Sequence, residues 1–181
     1  ENLSVYDPTN DFLAIKELEG LLYYRTGTHW NNKGAYIAFS NMLKKLGLEA
    51  PTVKFSLQET IPGELIEISK LNNFPFKNGD TWLAKIDHKY ELIRSKNSYI
   101  ATNEAFGDQE VVYNSNPTIN KKIWVTGDSF TNAMRSYFNA TFSEVHYLGH
   151  WNKRLKGLSS DLEKASAKPD IVIIVKVERF F

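Results

Sequence analysis

Five β-branched residues in succession, Ile171-Val172-Ile173-Ile174-Val175, constrain this chain more than any other stretch. Alternating apolar and polar residues mark a strand with one wet face, whereas an unbroken apolar run marks a strand covered on both faces. A strand over 170–177, read in this way, needs helices on each side of its sheet. That restricts the chain to a layered α/β architecture.

The residues upstream keep the same rhythm. A strand is expected at 122–126, a helix at 129–138, a strand at 144–148 and a helix at 155–167. Strands separated by helices predict a parallel, doubly wound sheet. Nearer the N-terminus, a strand is expected at 3–6, a helix from Asp7-Pro8 to Leu18, and a strand at 21–25. A helix follows, with Ala35, Ala38, Phe39, Met42, Leu43 and Leu46 at helical spacing and Gly47 as its stop. The middle, 53–114, reads as a β-rich insertion with a short helix after Pro62-Gly63 and strands at 81–86 and 90–94. The expected organisation is a single domain over 1–181 interrupted by that insertion, in a chain that starts at Glu1 as a processed or truncated one does.

Composition removes several classes of function. Lys plus Arg number 22 and Asp plus Glu 21, a net charge of +1, whereas a surface tracking nucleic-acid phosphates needs a clear basic excess. There is no cysteine, hence no disulfide framework, zinc-thiolate site or thiol nucleophile. No apolar run approaches the ~20 residues that span a bilayer. The dinucleotide and P-loop glycine patterns are missing, and the four histidines form no His-Glu-x-x-His. The expectation is a protein without metal or cofactor.

In a parallel sheet the carboxyl ends of the strands share one edge, where ligands bind. Two expected strand ends carry reactive side chains. Residues 21–25 lead into Thr26-Gly27-Thr28-His29-Trp30-Asn31, and 122–126 lead into Gly127-Asp128-Ser129-Phe130. A serine hydroxyl becomes a nucleophile when a base takes its proton, and imidazole is such a base near neutrality. The first turn of a helix offers backbone N–H groups to an oxyanion, and Gly127 permits a sharp turn and a close approach. Plainer readings stay open: Gly-Asp-Ser is a common turn in which Asp or Ser caps a helix, His29 suits a hydrogen-bonded loop, and Trp30 suits a core. A third strand end is Gly149-His150-Trp151-Asn152, where His150 and Trp151 can meet a sugar or His150 can bond the backbone.

The segment Tyr23-Tyr24-Arg25-Thr26-Gly27-Thr28-His29-Trp30-Asn31-Asn32-Lys33-Gly34-Ala35 resembles the "DTHW…GA" block of the alginate O-acetyltransferase family, within the SGNH-hydrolase-like superfamily. Gly127-Asp128-Ser129-Phe130 resembles its "GDSF" nucleophile block. Pro62-Gly63-Glu64-Leu65 resembles its "GDL" segment, and Pro169 to Ile173 with Val177-Glu178-Arg179-Phe180 resembles its terminal "PDVVI…VERY" strand. The resemblance implies an SGNH-type α/β fold, doubly wound and mostly parallel with helices on both faces. It also implies an extracytoplasmic setting, a polysaccharide acceptor and an acyl donor. Carried over by position, Ser129 matches the nucleophile and His29 the base.

One position departs from the pattern. Where the family has Asp two residues before the histidine, this chain has Gly27, which offers no carboxylate. The acid of such a triad holds the imidazole in one tautomer and stabilises it when charged. Three arrangements remain: another carboxylate reaches His29, with Glu178 the first candidate; a backbone carbonyl orients the ring; or the site binds without catalysing. Asp128 adjoins the nucleophile and suits the turn. Trp30, His150, Trp151 and Arg179 are the candidate substrate contacts, Arg179 alternatively pairing with Glu178. The expected function is a carbohydrate O-acetyl transferase or esterase. The alternative is a non-catalytic carbohydrate-binding or assembly module that keeps the fold.

Overall fold

The computed structural model describes residues 3–58, 63–70, 79–96 and 110–177. The chain divides into two compact units, 1–87 and 88–181. The boundary between them falls within the stretch 53–114.

In the first unit, helix α1 (Thr9–Glu19) begins after Pro8, where Asp7 accepts the Thr9 N–H at 2.9 Å. The expected strand at 3–6 is absent. Phe12 is the inward residue of α1, edge-on to the Tyr23 and Trp30 rings at 5.9 and 6.4 Å. Helix α2 (Asn32–Lys45) starts where the Asn31 side chain accepts the Gly34 N–H, and it ends before Gly47, whose φ is +71°. Its buried stripe is Ala35, Ala38, Phe39 and Leu43, the helical period read from the sequence. Strands β1 (Val53–Gln58) and β2 (Thr81–Ile86) pair antiparallel, and the short helix α3 (Glu64–Ser69) lies between them in sequence.

The second unit is built on a five-stranded mixed sheet in the order β3-β4-β6-β5-β7. Its strands are β3 (Leu92–Lys96), β4 (Glu110–Asn114), β5 (Ile119–Gly127), β6 (Phe142–His150) and β7 (Ile171–Val175). β6, β5 and β7 are parallel neighbours, whereas β3-β4 and β4-β6 are antiparallel. The sheet is thus α/β in character and mixed: four of its five described strands run in the same direction, and β4 runs against them. The parallel part is the part whose strands alternate with helices. After β5 come a 3₁₀ helix (Ser129–Met134) and α4 (Arg135–Thr141); after β6 come α5 (Trp151–Arg154) and α6 (Leu158–Lys164).

Consecutive residues of a strand face opposite sides of its sheet. Tyr147 donates its hydroxyl to Asn139 of α4 at 2.7 Å, while Leu148 packs with Trp124, Ala165, Leu158 and Leu162 on the α6 side. Helices α4 and α6 therefore cover opposite faces. The strand buried on both faces is not β7, as the sequence suggested. β7 lies at an end of the described sheet, with Ile173 buried and Ile174 exposed. The continuous burial falls on Ile123 to Thr126 of β5 and Val145 to Leu148 of β6, because those strands have neighbours on both sides. Among the described residues, no helix is long and apolar enough to cross a membrane.

Candidate active site

Ser129 sits at the carboxyl end of β5, as the first residue of the 3₁₀ helix. It is exposed between two buried neighbours, Asp128 and Phe130. The Asp128 carboxylate fixes the turn with both oxygens: Oδ1 accepts the Phe130 N–H at 3.0 Å and Oδ2 the Val177 N–H at 2.8 Å. The Asp128 N–H in turn donates to the Val175 carbonyl at 3.2 Å, so one residue ties the serine turn to the end of β7. Gly127 is required by space. A Cβ there would lie 1.9 Å from Thr131 Oγ1 and 3.0 Å from the Val175 carbonyl oxygen.

Two of the first-turn backbone N–H groups that could hold an oxyanion are already engaged. That of Phe130 goes to the Asp128 side chain, and that of Thr131 goes to the Asp128 carbonyl at 3.0 Å. A tight 3₁₀ turn capped by its own Asp spends its first donors internally.

The His29 loop is built differently. No ladder strand forms at 21–25; a single antiparallel bridge joins Tyr23 to Trp30, with the Tyr24 N–H donating to the His29 carbonyl at 3.1 Å. His29 thus stands on a short hairpin rather than at a sheet edge. Side chains hold this hairpin from two directions. Buried Asp80 accepts the Arg25 N–H at 2.9 Å, and the Asn31 amide donates to the Leu21 and Asp80 carbonyls at 2.7 and 2.8 Å. Burial, with Asp80 nearby, also pushes the Tyr24 phenol above its ordinary value.

From the other direction comes α3. The Leu65 N–H donates to the Thr26 carbonyl at 3.0 Å and the Gly63 N–H to Thr26 Oγ1 at 2.9 Å. Only glycine admits this approach at 63, since a Cβ would lie 2.3 Å from the Thr26 carbonyl oxygen. Glu64 follows directly. Its Oε1 accepts the Thr28 N–H at 2.9 Å, receives the Thr28 hydroxyl, and lies 3.4 Å from His29 Nδ1. Thr28 Oγ1 is itself 3.3 Å from that nitrogen. The Thr28 hydroxyl and N–H, then His29, hold the Glu64 carboxyl below its ordinary 4.5.

The remaining candidates have varied surroundings. Trp30 is buried against Phe12, so it packs the first unit instead of presenting a face to a sugar. His150 is exposed and caps α5, its Nδ1 accepting the Asn152 N–H at 3.4 Å. The half-buried Trp151 ring lies 5.6 Å from that imidazole and carries Lys176 Nζ over it at 4.4 Å. Glu178 and Arg179 lie outside the described residues. Sequence reasoning missed the roles of Glu64, Thr26 and Asp80. In the sequence Glu64 stands only as part of the Pro62–Leu65 block, and its partner Thr28 is 36 positions away.

No protein-family model matches the chain, and no curated protein matches it in sequence. Solved structures do match in fold. A DHHW family protein from Eubacterium siraeum superposes with a TM-score of 0.58 at 16% identity over 91% of this chain and 62% of its own. Bacillus cereus PatB1 gives 0.55 at 17% identity over 87% and 63%. Its form with a sulfonyl adduct gives 0.60 at 15% identity over 94% and 66%. A looser likeness, TM-score 0.44 at 15% identity over 97% and 66%, is to the O-acetyltransferase domain of Pseudomonas putida AlgJ. The chain shares the fold of the first two proteins while spanning less than two thirds of their length.

Proposed function

We propose that the chain carries the site of a carbohydrate O-acetyl transferase or esterase, with Ser129 as nucleophile and His29 as base. The observation that carries this reading is the exposed Ser129 on a buried, carboxylate-pinned turn at the carboxyl end of β5, where α/β sheets bind ligands. The resemblance of the His29 and Ser129 segments to paired family blocks supports it, as does the fold shared with PatB1. SGNH-type winding of the whole chain and an extracytoplasmic location belong to the same proposal.

In the proposed reaction Ser129 Oγ attacks the carbonyl carbon of an acetyl ester while its proton passes to His29 Nε2. Collapse of the tetrahedral intermediate breaks the bond to the donor oxygen, which leaves with that proton, and the acetyl group stays on Ser129. A sugar hydroxyl or water then attacks the acyl-serine and gives its proton to His29. Ser129 Oγ leaves and is reprotonated. A sugar acceptor makes this a transferase and water an esterase, according to how well the groove excludes solvent.

The test is labelling by a fluorophosphonate and a sulfonyl fluoride, together with p-nitrophenyl acetate hydrolysis, in wild type, Ser129→Ala and His29→Ala. We expect wild type to label and hydrolyse, Ser129→Ala not to label, and both variants to lose at least about 10³-fold in rate. Wild-type behaviour no different from Ser129→Ala would remove the serine chemistry and leave a glycan-binding module as the reading to pursue.

A further inference from the structure

We propose that Glu64 is the positioning residue for His29, supplying from α3 the carboxylate that position 27 lacks. The inference rests on His29 being the base of the reaction above and names how that base is oriented.

Among the described residues, Asp80 and Glu64 bring carboxylates to the His29 hairpin, and they have different occupations. Asp80 is committed to the Arg25 N–H and to the Thr81 hydroxyl, at 2.9 and 3.2 Å. Glu64 turns its Oε1 toward His29 Nδ1 at 3.4 Å. An acid on residue 27 itself would be crowded, because a Cβ there lies 3.1 Å from Tyr24 Cβ. Glu64 is also held in place. Oε1 takes both donors of Thr28, while the residues on either side, Gly63 and Leu65, bond Thr26. Carboxylate and hairpin are therefore docked onto each other through four backbone N–H and hydroxyl groups.

Proton placement follows from the donor inventory. The depressed carboxyl of Glu64 is ionised near neutrality and accepts only. The Thr28 hydroxyl has one hydrogen and gives it to Oε1, so it turns a lone pair toward Nδ1 at 3.3 Å. Both oxygens near Nδ1 are thus acceptors, and the ring proton belongs on Nδ1. Nε2 is left with its lone pair, as a base requires. When Nε2 takes a proton, the imidazolium forms beside an anion. Because the Glu64 side chain is 41% exposed, water weakens that support, and its loss costs less than the ~10⁴-fold known for a buried triad acid.

The experiment uses the full chain, ¹⁵N-labelled, as wild type, Glu64→Ala, Glu64→Gln and Glu64→Asp. Long-range ¹H–¹⁵N spectra, with the His29 ring assigned from His29→Ala, report the tautomer directly. Wild type is expected to show Nδ1–H, and Glu64→Ala to drift toward the Nε2–H form. In p-nitrophenyl acetate hydrolysis Glu64→Gln, which keeps an acceptor for Thr28, is expected to lower kcat about 10- to 100-fold with KM within about twofold, and Glu64→Asp to recover part of the loss. An Nε2–H ring in wild type, or a kcat in Glu64→Gln equal to wild type, overturns the proposal. The tautomer is read without catalysis, so an inactive wild type would sink the acyl-transfer reading while the pairing is still judged by its spectrum.

Discussion

The Ser129 turn and the His29 hairpin are two ways of holding a candidate site residue. The serine turn extends a central strand, with backbone ladders on both sides of β5 and one buried residue, Asp128, tying it to β7. The hairpin has one bridge of its own and is otherwise fixed by individual side chains: Asp80 and Glu64 reach it from distant segments, and its own Thr26 and Asn31 bond outward to Gly63 and Asp80. A sheet supplies position as a by-product of its hydrogen-bond register, whereas a loop must be positioned contact by contact. The first is resistant to small changes except where space is exhausted. The second can lose its chemistry while keeping its fold.

Two glycines put this difference to its largest test. Gly127→Ala places a methyl against Thr131 and the Val175 carbonyl inside a paired strand that cannot shift. It is expected to cost about 1–3 kcal/mol in urea unfolding. Gly63→Ala meets the Thr26 carbonyl at 2.3 Å, a closer backbone encounter, but α3 is short and has no buried residue, so it can move aside. Its expected cost is below about 1 kcal/mol. The displaced Glu64 should then show in the His29 tautomer rather than in the unfolding midpoint. Equal stability losses in the two variants would break the distinction between sheet-held and contact-held sites.

The same distinction explains what was legible in the sequence. The α/β character, helix α2 with its stripe and glycine stop, and strands β2, β5, β6 and β7 follow from local periodicity and turn residues, which one segment carries by itself. Which strand is central does not. The β-branched run of β7 reads as the most buried strand, yet burial depends on neighbours, and β7 has β5 alone among the described strands. The strand expected at 21–25 does not form for a related reason: Leu22 and Tyr23 pack beside α2 and α1 and join no ladder. For the candidate site, Ser129 and His29 are visible as chemistry-bearing residues at breaks in the pattern. Glu64 is invisible, because nothing between Thr28 and α3 announces that they meet.

A smaller effect separates the two units by pH. His146 is fully buried in the second unit, near Trp124, with Nε2 on the Glu144 carboxylate, which also holds Lys122 Nζ at 3.1 Å. Burial pushes the His146 imidazole below 6.5, Lys122 adds to this, and Glu144 opposes it. For Glu144, burial acts upward, but the bonds from His146 and Lys122 outweigh it and leave the carboxyl below 4.5. The unfolded chain therefore binds both protons at higher pH than the folded chain does. Stability should be fully present above pH 6.5, fall as pH drops below it through the His146 range, and fall again below 4.5 as Glu144 is protonated. Urea midpoints measured from pH 8 to 4 should lose the upper part of this slope in His146→Gln. A slope unchanged in that variant would place the pH sensitivity elsewhere.

The smallest expected change is in the first unit, where the charged group is exposed. Thr28→Val keeps the branched shape but removes the hydroxyl, the foremost influence depressing the Glu64 carboxyl. The Glu64 titration, followed by carboxyl ¹³C NMR, should move up toward 4.5 without reaching it, since the Thr28 N–H and His29 still act on the carboxylate. The urea midpoint should barely move, because a solvent-exposed hydrogen bond to a carboxylate contributes little to folding. The tautomer of His29 should hold as well, with Oε1 remaining as an acceptor near Nδ1. If the ring instead swung to Nε2–H, the hydroxyl and not the carboxylate would be what orients His29. Glu64 would then act one bond further away, through Thr28.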